Sequence, residues 1–307
     1  MSTNYAYFEG RIVPASEAKV SISTHALQYG TGCFEGIRAY WNPGRNELYV
    51  LKLREHMRRM SYNMRLLRIA LPETVERMCE IVVELLRQNE ARQNTYIRPF
   101  AYKSAPYIGL KLTGLEDRLA IYTLGMGDYL DVEKGLSVCV SSWVRPDDNS
   151  IPPRGKLTGS YVNACIASDE AKTNGYDEAL ELSSDGHVSE GSSSNLFVVR
   201  NGTLITSPVS ANILEGITRA AIFELASDMG IPSETRAIDR TELYVADEMF
   251  LCGTGVQLAP ITSVDRRPVG DGKPGPISLK LQQAYFAAAS GEVEKYRHWL
   301  TPVYGSR

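Results

Sequence analysis

The apolar residues of this chain change period along its length, and that switching restricts the fold more than any other feature. Over 53–69, Leu53, Met57, Met60 and Met64 recur on one helical face, with arginines over much of the rest. Val75, Met78, Ile81, Val82, Leu85 and Leu86 repeat the helical spacing, and Pro72 is placed to open that helix. Over 95–102 the period falls to two, so that Tyr96, Arg98 and Phe100 share one face of a strand. A chain that alternates these periods is expected to be α/β or α+β.

The remaining segments alternate in the same way. Residues 5–22 read as strands turning at Glu9-Gly10, and 118–124 as a strand ending in Gly125-Met126-Gly127. Pro99 removes a ladder hydrogen bond, so the strand at 95–102 is expected to have an exposed edge or a bulge. After a polar connection come a strand at Leu136–Val144, a Pro- and Asp-rich loop at 145–154, and a helix over 158–174 closed by Gly175. Strands at Glu178–Leu182 and Asn195–Arg200 follow, the latter running into an Asn201-Gly202 hairpin turn. A helix at 217–229 stops at Gly230, and Asp239 with Glu242 forms a candidate capping box. A strand at 249–252 enters Gly253-Thr254-Gly255, and a last helix covers 278–289. With a prior of about 150 residues per domain, 307 residues give two domains, expected over 1–127 and 136–307 with a linker at 128–135.

Charge and cysteine usage narrow the function. Net charge is −3 and there is no basic tail, so nucleic acid finds no electrostatic footprint. The cluster Arg54, Arg58, Arg59, Arg65 and Arg68 is local and helically spaced. The five cysteines are scattered and form no C-x-x-C pair, and the four histidines lie at no metal spacing. No metal is expected, and a reducing compartment is. The N-terminus lacks an apolar signal-peptide core and no apolar run reaches membrane-spanning length, so a cytoplasmic enzyme is the expectation.

Common motifs fail. Gly30-x-Gly32 has no third glycine at dinucleotide spacing, no Walker A sequence occurs, and Gly191-Ser192-Ser193-Ser194-Asn195 lacks the last glycine of a nucleophile elbow. A lysine-centred set is more informative. Lys156 follows a proline-rich loop in Pro152-Pro153-Arg154-Gly155-Lys156-Leu157-Thr158 and precedes Tyr161 by five residues. Such an amine forms a Schiff base once burial and nearby charge lower its pKa, although taken alone it reads more readily as a solvated surface lysine. Glu190 sits between a turn and a run of small residues, where it could face a cationic ring nitrogen or simply solvent. Leu214-Glu215-Gly216-Ile217-Thr218-Arg219 opens a helix whose first-turn N–H groups suit a phosphate, and Gly253-Thr254-Gly255 lets backbone amides approach an anion.

In this order, an arginine in a helix, a lysine, a tyrosine, an acid, a helix start and a Gly-Thr-Gly turn resemble the class IV (fold type IV) pyridoxal-phosphate enzymes, and within them the branched-chain amino acid aminotransferases. The resemblance includes Gln28-Tyr29-Gly30-Thr31-Gly32-Cys33-Phe34-Glu35-Gly36-Ile37-Arg38, Arg54-Glu55-His56-Met57-Arg58-Arg59-Met60, Tyr96-Ile97-Arg98-Pro99, Ser141-Ser142-Trp143 and Tyr244-Val245-Ala246-Asp247-Glu248. It implies two α/β domains, a smaller N-terminal one and a larger C-terminal one with a barrel-like sheet, with pyridoxal 5'-phosphate between them.

By that resemblance Lys156 holds the cofactor and shuttles a proton, Glu190 pairs with the ring nitrogen and Tyr161 bonds the ring's phenolic oxygen. Arg59 clamps the phosphate by paired bonds, with Ile217, Thr218 and Thr254 completing the cup. Phe34, Gly36, Arg38, Tyr96, Arg98, Tyr129, Thr254 and Gly255 form the substrate pocket. Tyr29 and Leu110 reach a neighbouring subunit's pocket, which implies a homodimer or an assembly of dimers. The implied reaction moves amino groups between branched-chain L-amino acids and 2-oxoglutarate. Met126 stands where tryptophan is common, Ser193-Ser194 replaces Gly-Glu and Gly255 a frequent alanine, which leaves the substrate range open. The alternatives are a D-amino acid or (R)-amine transaminase and an aminodeoxychorismate lyase-like enzyme.

Overall fold

The computed structural model describes residues 4–127 and 134–305. Two compact units emerge, one comprising Met1–Gly127, Gly155–Gly159 and Ala288–Arg307, the other Asp128–Arg154 and Ser160–Ala287.

The first unit is built on an antiparallel sheet. Its order is Leu300–Pro302, Glu47–Leu51, Ile37–Asn42, Thr95–Lys103, Asp117–Gly125, Tyr5–Phe8 and Arg11–Pro14, with Gly32–Phe34 also paired to Thr95–Lys103. Sequence position did not anticipate its first strand. The terminal strand Leu300–Pro302 pairs with Glu47–Leu51, and the Glu47 carboxylate accepts the N–H groups of Val303 at 2.9 Å and Tyr304 at 2.7 Å. Residues expected to belong with 136–307 therefore pack with the first unit at 155–159 and 288–307.

Two helices carry the apolar stripes. Leu53–Leu66 buries Leu53, Met57, Met60 and Met64. Val75–Gln88 buries Met78, Ile81, Val82, Leu85 and Leu86, each such side chain contributing about 1.5–3 kcal/mol. The second helix opens later than Pro72, because the Thr74 hydroxyl accepts the Arg77 N–H at 3.2 Å and sets the cap. Residues 5–22 are extended only to Pro14, after which Ala15–Glu17 forms a single tight turn of 3-10 helix.

Pro99 needs neither an exposed edge nor a bulge. Thr95–Lys103 is interior, with Asp117–Gly125 along one side. The other side is covered in two pieces, by Ile37–Asn42 from Thr95 to Ile97 and by Gly32–Phe34 from Phe100 to Tyr102. Pro99 falls at the break between them, where no ladder bond requires its missing N–H, and its carbonyl accepts from Glu35 N at 2.9 Å.

The second unit holds a mixed sheet ordered Val188–Gly191, Glu178–Leu182, Leu136–Val144, Gln257–Val264, Glu248–Gly253, Asn195–Arg200, Thr203–Thr206 and Ser233–Thr235, with Arg267–Pro268 also paired to Gln257–Val264. Leu136–Val144 and Glu178–Leu182 are parallel, joined through the helix Tyr161–Thr173. Thr203–Thr206 and Ser233–Thr235 are parallel too, joined through Ile217–Asp228. Edge strand Val188–Gly191 connects through only Ser192, Ser193 and Ser194 to the sixth strand along. That link spans at most about 14 Å, whereas five flat strand spacings need about 24 Å. The sheet must curl, as a barrel-like sheet does. Asn201 and Gly202 both take positive φ, 49° and 75°, as the expected hairpin turn requires. The capping box does not form: Asp239 makes no side-chain cap bond, and the Glu242 carboxylate instead takes the Arg236 guanidinium at 2.8 and 2.5 Å.

Candidate active site

In the first unit Lys156 is delivered by a segment laid along the glycine-rich strand. Phe34 N donates to Lys156 O at 3.0 Å, Leu157 bridges Cys33, and the Thr158 hydroxyl donates to Gly32 O at 2.7 Å. Gly30 takes φ 64°, and a Cβ there would lie 2.8 Å from the Gly159 Cα, so glycine is what allows this approach. The Lys156 amine stands 5.1 Å from the Phe34 ring centroid.

Arg98 shares that ring. Its guanidinium carbon lies 4.4 Å from the Phe34 centroid, and Nη2 donates to the Tyr96 hydroxyl at 2.7 Å. Gly36 is required beneath them, since a Cβ would meet the Tyr96 oxygen at 2.4 Å. Phe34, Gly36, Tyr96, Arg98 and Lys156 thus form one cluster. Arg38 lies directly opposite Tyr96 in the strand pair; it is 1 % exposed and donates to Gly127 O at 2.5 Å. Tyr129 lies outside the described residues. Tyr29 is partly exposed and Leu110 is 89 % exposed, close in sequence to the exposed Leu27 and Ile108.

A carboxylate whose role the sequence did not disclose organises the arginine. Glu35 is fully buried and accepts Arg59 Nε at 2.7 Å, Arg59 Nη2 at 2.8 Å and His56 Nδ1 at 2.8 Å. Glu35 thus takes one edge of the Arg59 guanidinium, Nε with Nη2. Burial alone would push Glu35 up; the Arg59 charge and the hydrogen bonds of Arg59 and His56 override it and hold the acid down at about 2. Burial lowers His56, against its bond to Glu35, and the Arg59 and Lys156 charges lower it further. Because the carboxylate only accepts, His56 carries its proton on Nδ1.

In the second unit Glu190 is a buried acid. Asn195 Nδ2 donates to its Oε2 at 2.7 Å and Leu214 N to its Oε1 at 3.1 Å, while Arg145 Nη2 lies 2.5 Å from Oε1. Arg145 also donates through Nη1 to the buried Glu181 at 3.1 Å. Asn195 reaches the helix start as well: a Cβ on Gly216 would lie 1.9 Å from its side-chain oxygen. Gly216 is the N-cap of Ile217–Asp228 and, having no side chain, leaves the first-turn N–H groups of Ile217 and Thr218 uncapped. Tyr161 opens the helix Tyr161–Thr173, and Thr254 and Gly255 form the turn after Glu248–Gly253.

Taken separately, the two units carry opposite charge balances. Among the named groups, Arg59, Arg98 and Lys156 outnumber Glu35 in the first unit, as an anion requires. In the second, Glu181 and Glu190 outnumber their shared Arg145, as a cationic ring requires. Sequence reasoning missed Glu35, His56, Arg145, Glu181 and Asn195 as contributors. The signal available was Arg145, a cation closing the apolar run Leu136–Val144.

The family described as amino-transferase class IV matches this sequence over residues 32–264. The chain belongs to the class IV aminotransferases. A probable branched-chain-amino-acid aminotransferase of Aquifex aeolicus is 47 % identical over 304 residues, which cover 99 % of this chain and 98 % of that protein. The crystal structure of the branched-chain aminotransferase of Thermoproteus uzoniensis with norvaline is 42 % identical, with a TM-score of 0.95 over 99 % of this chain and 100 % of that one. The Thermobaculum terrenum enzyme in its PLP-form is 39 % identical, with a TM-score of 0.94 and 99 % of both chains covered. This class IV aminotransferase therefore shares its fold along nearly its whole length with branched-chain enzymes.

Proposed function

We propose that the chain transfers amino groups between branched-chain L-amino acids (leucine, isoleucine, valine) and 2-oxoglutarate, with pyridoxal 5'-phosphate as cofactor. The observation that carries the reading is the placement of Lys156 beside Phe34 and its neighbour Arg98, together with a buried Glu190 held by three donors. Lys156 attaches the cofactor, Arg59 and the amides of Ile217 and Thr218 with Thr254 hold its phosphate, Glu190 meets the ring nitrogen and Tyr161 the phenolic oxygen. When bound, the cofactor supplies an aldehyde and a protonated ring that accepts the electron pair of the breaking Cα–H bond.

The residues of the chain do the rest. Lys156 Nζ takes the Cα proton and returns it. Arg98, steadied by Tyr96 and stacked on Phe34, orients a substrate carboxylate. Phe34 and Tyr96 offer apolar surface to a branched side chain, and Gly255 a backbone approach to its carboxylate end. Arg38, opposite Tyr96 in the strand pair and tied to Gly127, extends the same face. Exposed Leu27, Ile108 and Leu110 suit a homodimer, and buried thiols at Cys33, Cys139 and Cys252 suit the cytoplasm.

A donor panel with 2-oxoglutarate tests the reading. L-leucine is expected to turn over, and D-alanine and (R)-1-phenylethylamine poorly. Dominant activity on either of the latter, or pyruvate release without any acceptor, would replace it. Lys156→Ala is expected to lower transamination by about 10⁴-fold or more.

A further inference from the structure

We propose that Glu181 is a positioning residue for Glu190: by taking one arm of the Arg145 guanidinium, it leaves the Glu190 carboxylate with net charge for a cationic ring nitrogen. The inference rests on the reading of Glu190 as the partner of that nitrogen.

The geometry is a three-membered chain. Arg145 Nη1 reaches Glu181 Oε2 at 3.1 Å and Nη2 reaches Glu190 Oε1 at 2.5 Å, while Nε is steadied by Asn212 O at 3.3 Å. Side-chain exposure is 14 % for Arg145, 0 % for Glu181 and 3 % for Glu190, so little solvent screens the three. One guanidinium carries one positive charge, yet two carboxylates share it. The second oxygen of Glu181, Oε1, is buried without a hydrogen-bond partner among the described residues. An ionised carboxylate in that state is costly, and a protonated one much less so.

Burial accordingly lifts Glu181 to about 7, against the Arg145 charge and hydrogen bond and with help from Glu190 and Glu178. Tyr161 also acts on Arg145, and half-buried Arg219 on Glu190. With a proton on Glu181, Arg145 belongs to Glu190 and the pair is neutral. When Glu181 releases that proton to solvent, the trio carries one net negative charge, and its attraction for a cation beside Glu190 grows.

The test reconstitutes the enzyme with pyridoxal phosphate labelled with ¹⁵N in the ring and follows that resonance from pH 6 to 9. Glu181→Gln is expected to weaken ring protonation about tenfold, and Arg145→Gln to strengthen it. Opposite signs are what charge sharing requires and what mere loosening does not produce. Glu190→Gln serves as the reference, with a larger loss of the ring proton. A shift in Glu190→Gln with none in Glu181→Gln overturns the inference and leaves the site reading standing. No shift in Glu190→Gln overturns both. Should Glu181→Gln fail to fold, Arg145→Gln decides: stronger ring protonation supports the inference, and unchanged or weaker protonation ends it.

Discussion

In the first unit one carboxylate, Glu35, holds two nitrogen bases, Arg59 and His56; in the second, two carboxylates, Glu181 and Glu190, divide one arginine, Arg145. Burial pushes Glu35 and Glu181 up alike, and the number of cations that answer it decides the outcome. Glu35 ends at about 2 and Glu181 at about 7. Equal burial therefore does not mean equal charge, and the same residue type serves as a fixed anion in one place and as a proton-exchanging group in the other.

The largest effect should come from breaking the first network. Glu35→Ala leaves Arg59 without its buried partner, and urea unfolding is expected to show a loss of about 3–5 kcal/mol. A loss below about 1 kcal/mol would mean that Glu35 does not anchor the network.

pH sharpens the contrast, because the two acids act with opposite sign. Glu35 stabilises fully above about 4.5, where the unfolded chain has also released its proton, and that stability drains as pH falls toward 2. Glu181 keeps a proton between about 4.5 and 7 that the unfolded chain releases, so stability falls as pH rises through that window. Unfolding titrations of Glu35→Gln and Glu181→Gln should each lose their own window and keep the other's. If both variants lost the same window, the contrast would collapse.

Gly36→Ala is next. Its methyl must displace the Tyr96 hydroxyl, a strain of about 1–3 kcal/mol, read as a raised KM for 2-oxoglutarate with the Glu35 window intact. Smallest is Arg77→Ala, which removes exposed pairs to Glu80 and Glu84 and should cost less than about 1 kcal/mol in the same unfolding assay. A larger loss there would remove burial as the reason the two networks matter.

Much of this was legible beforehand in local pattern. Leu53, Met57, Met60 and Met64 share a helical face, Leu136–Val144 is a strand, and Asn201-Gly202 is a hairpin turn, because each depends on residues within a few positions of one another. The misreadings were of partners outside a residue's own turn or strand. Pro99 looked like an edge residue because nothing in its own strand reveals that the neighbouring strand breaks at Glu35-Gly36. Glu242 looked like a cap because Arg236 is a competitor only in the folded turn.

The sequence alone determined the alternation of elements, the candidate lysine and acid, and the family these motifs resemble. Only tertiary structure decided that Gly155–Gly159 and the last strand join the first unit, and which charges are shared. Period and propensity act over a turn or a strand. A buried carboxylate, by contrast, takes its charge from groups that folding brings in, from 21 residues away for His56 to Glu35 and from 36 for Arg145 to Glu181.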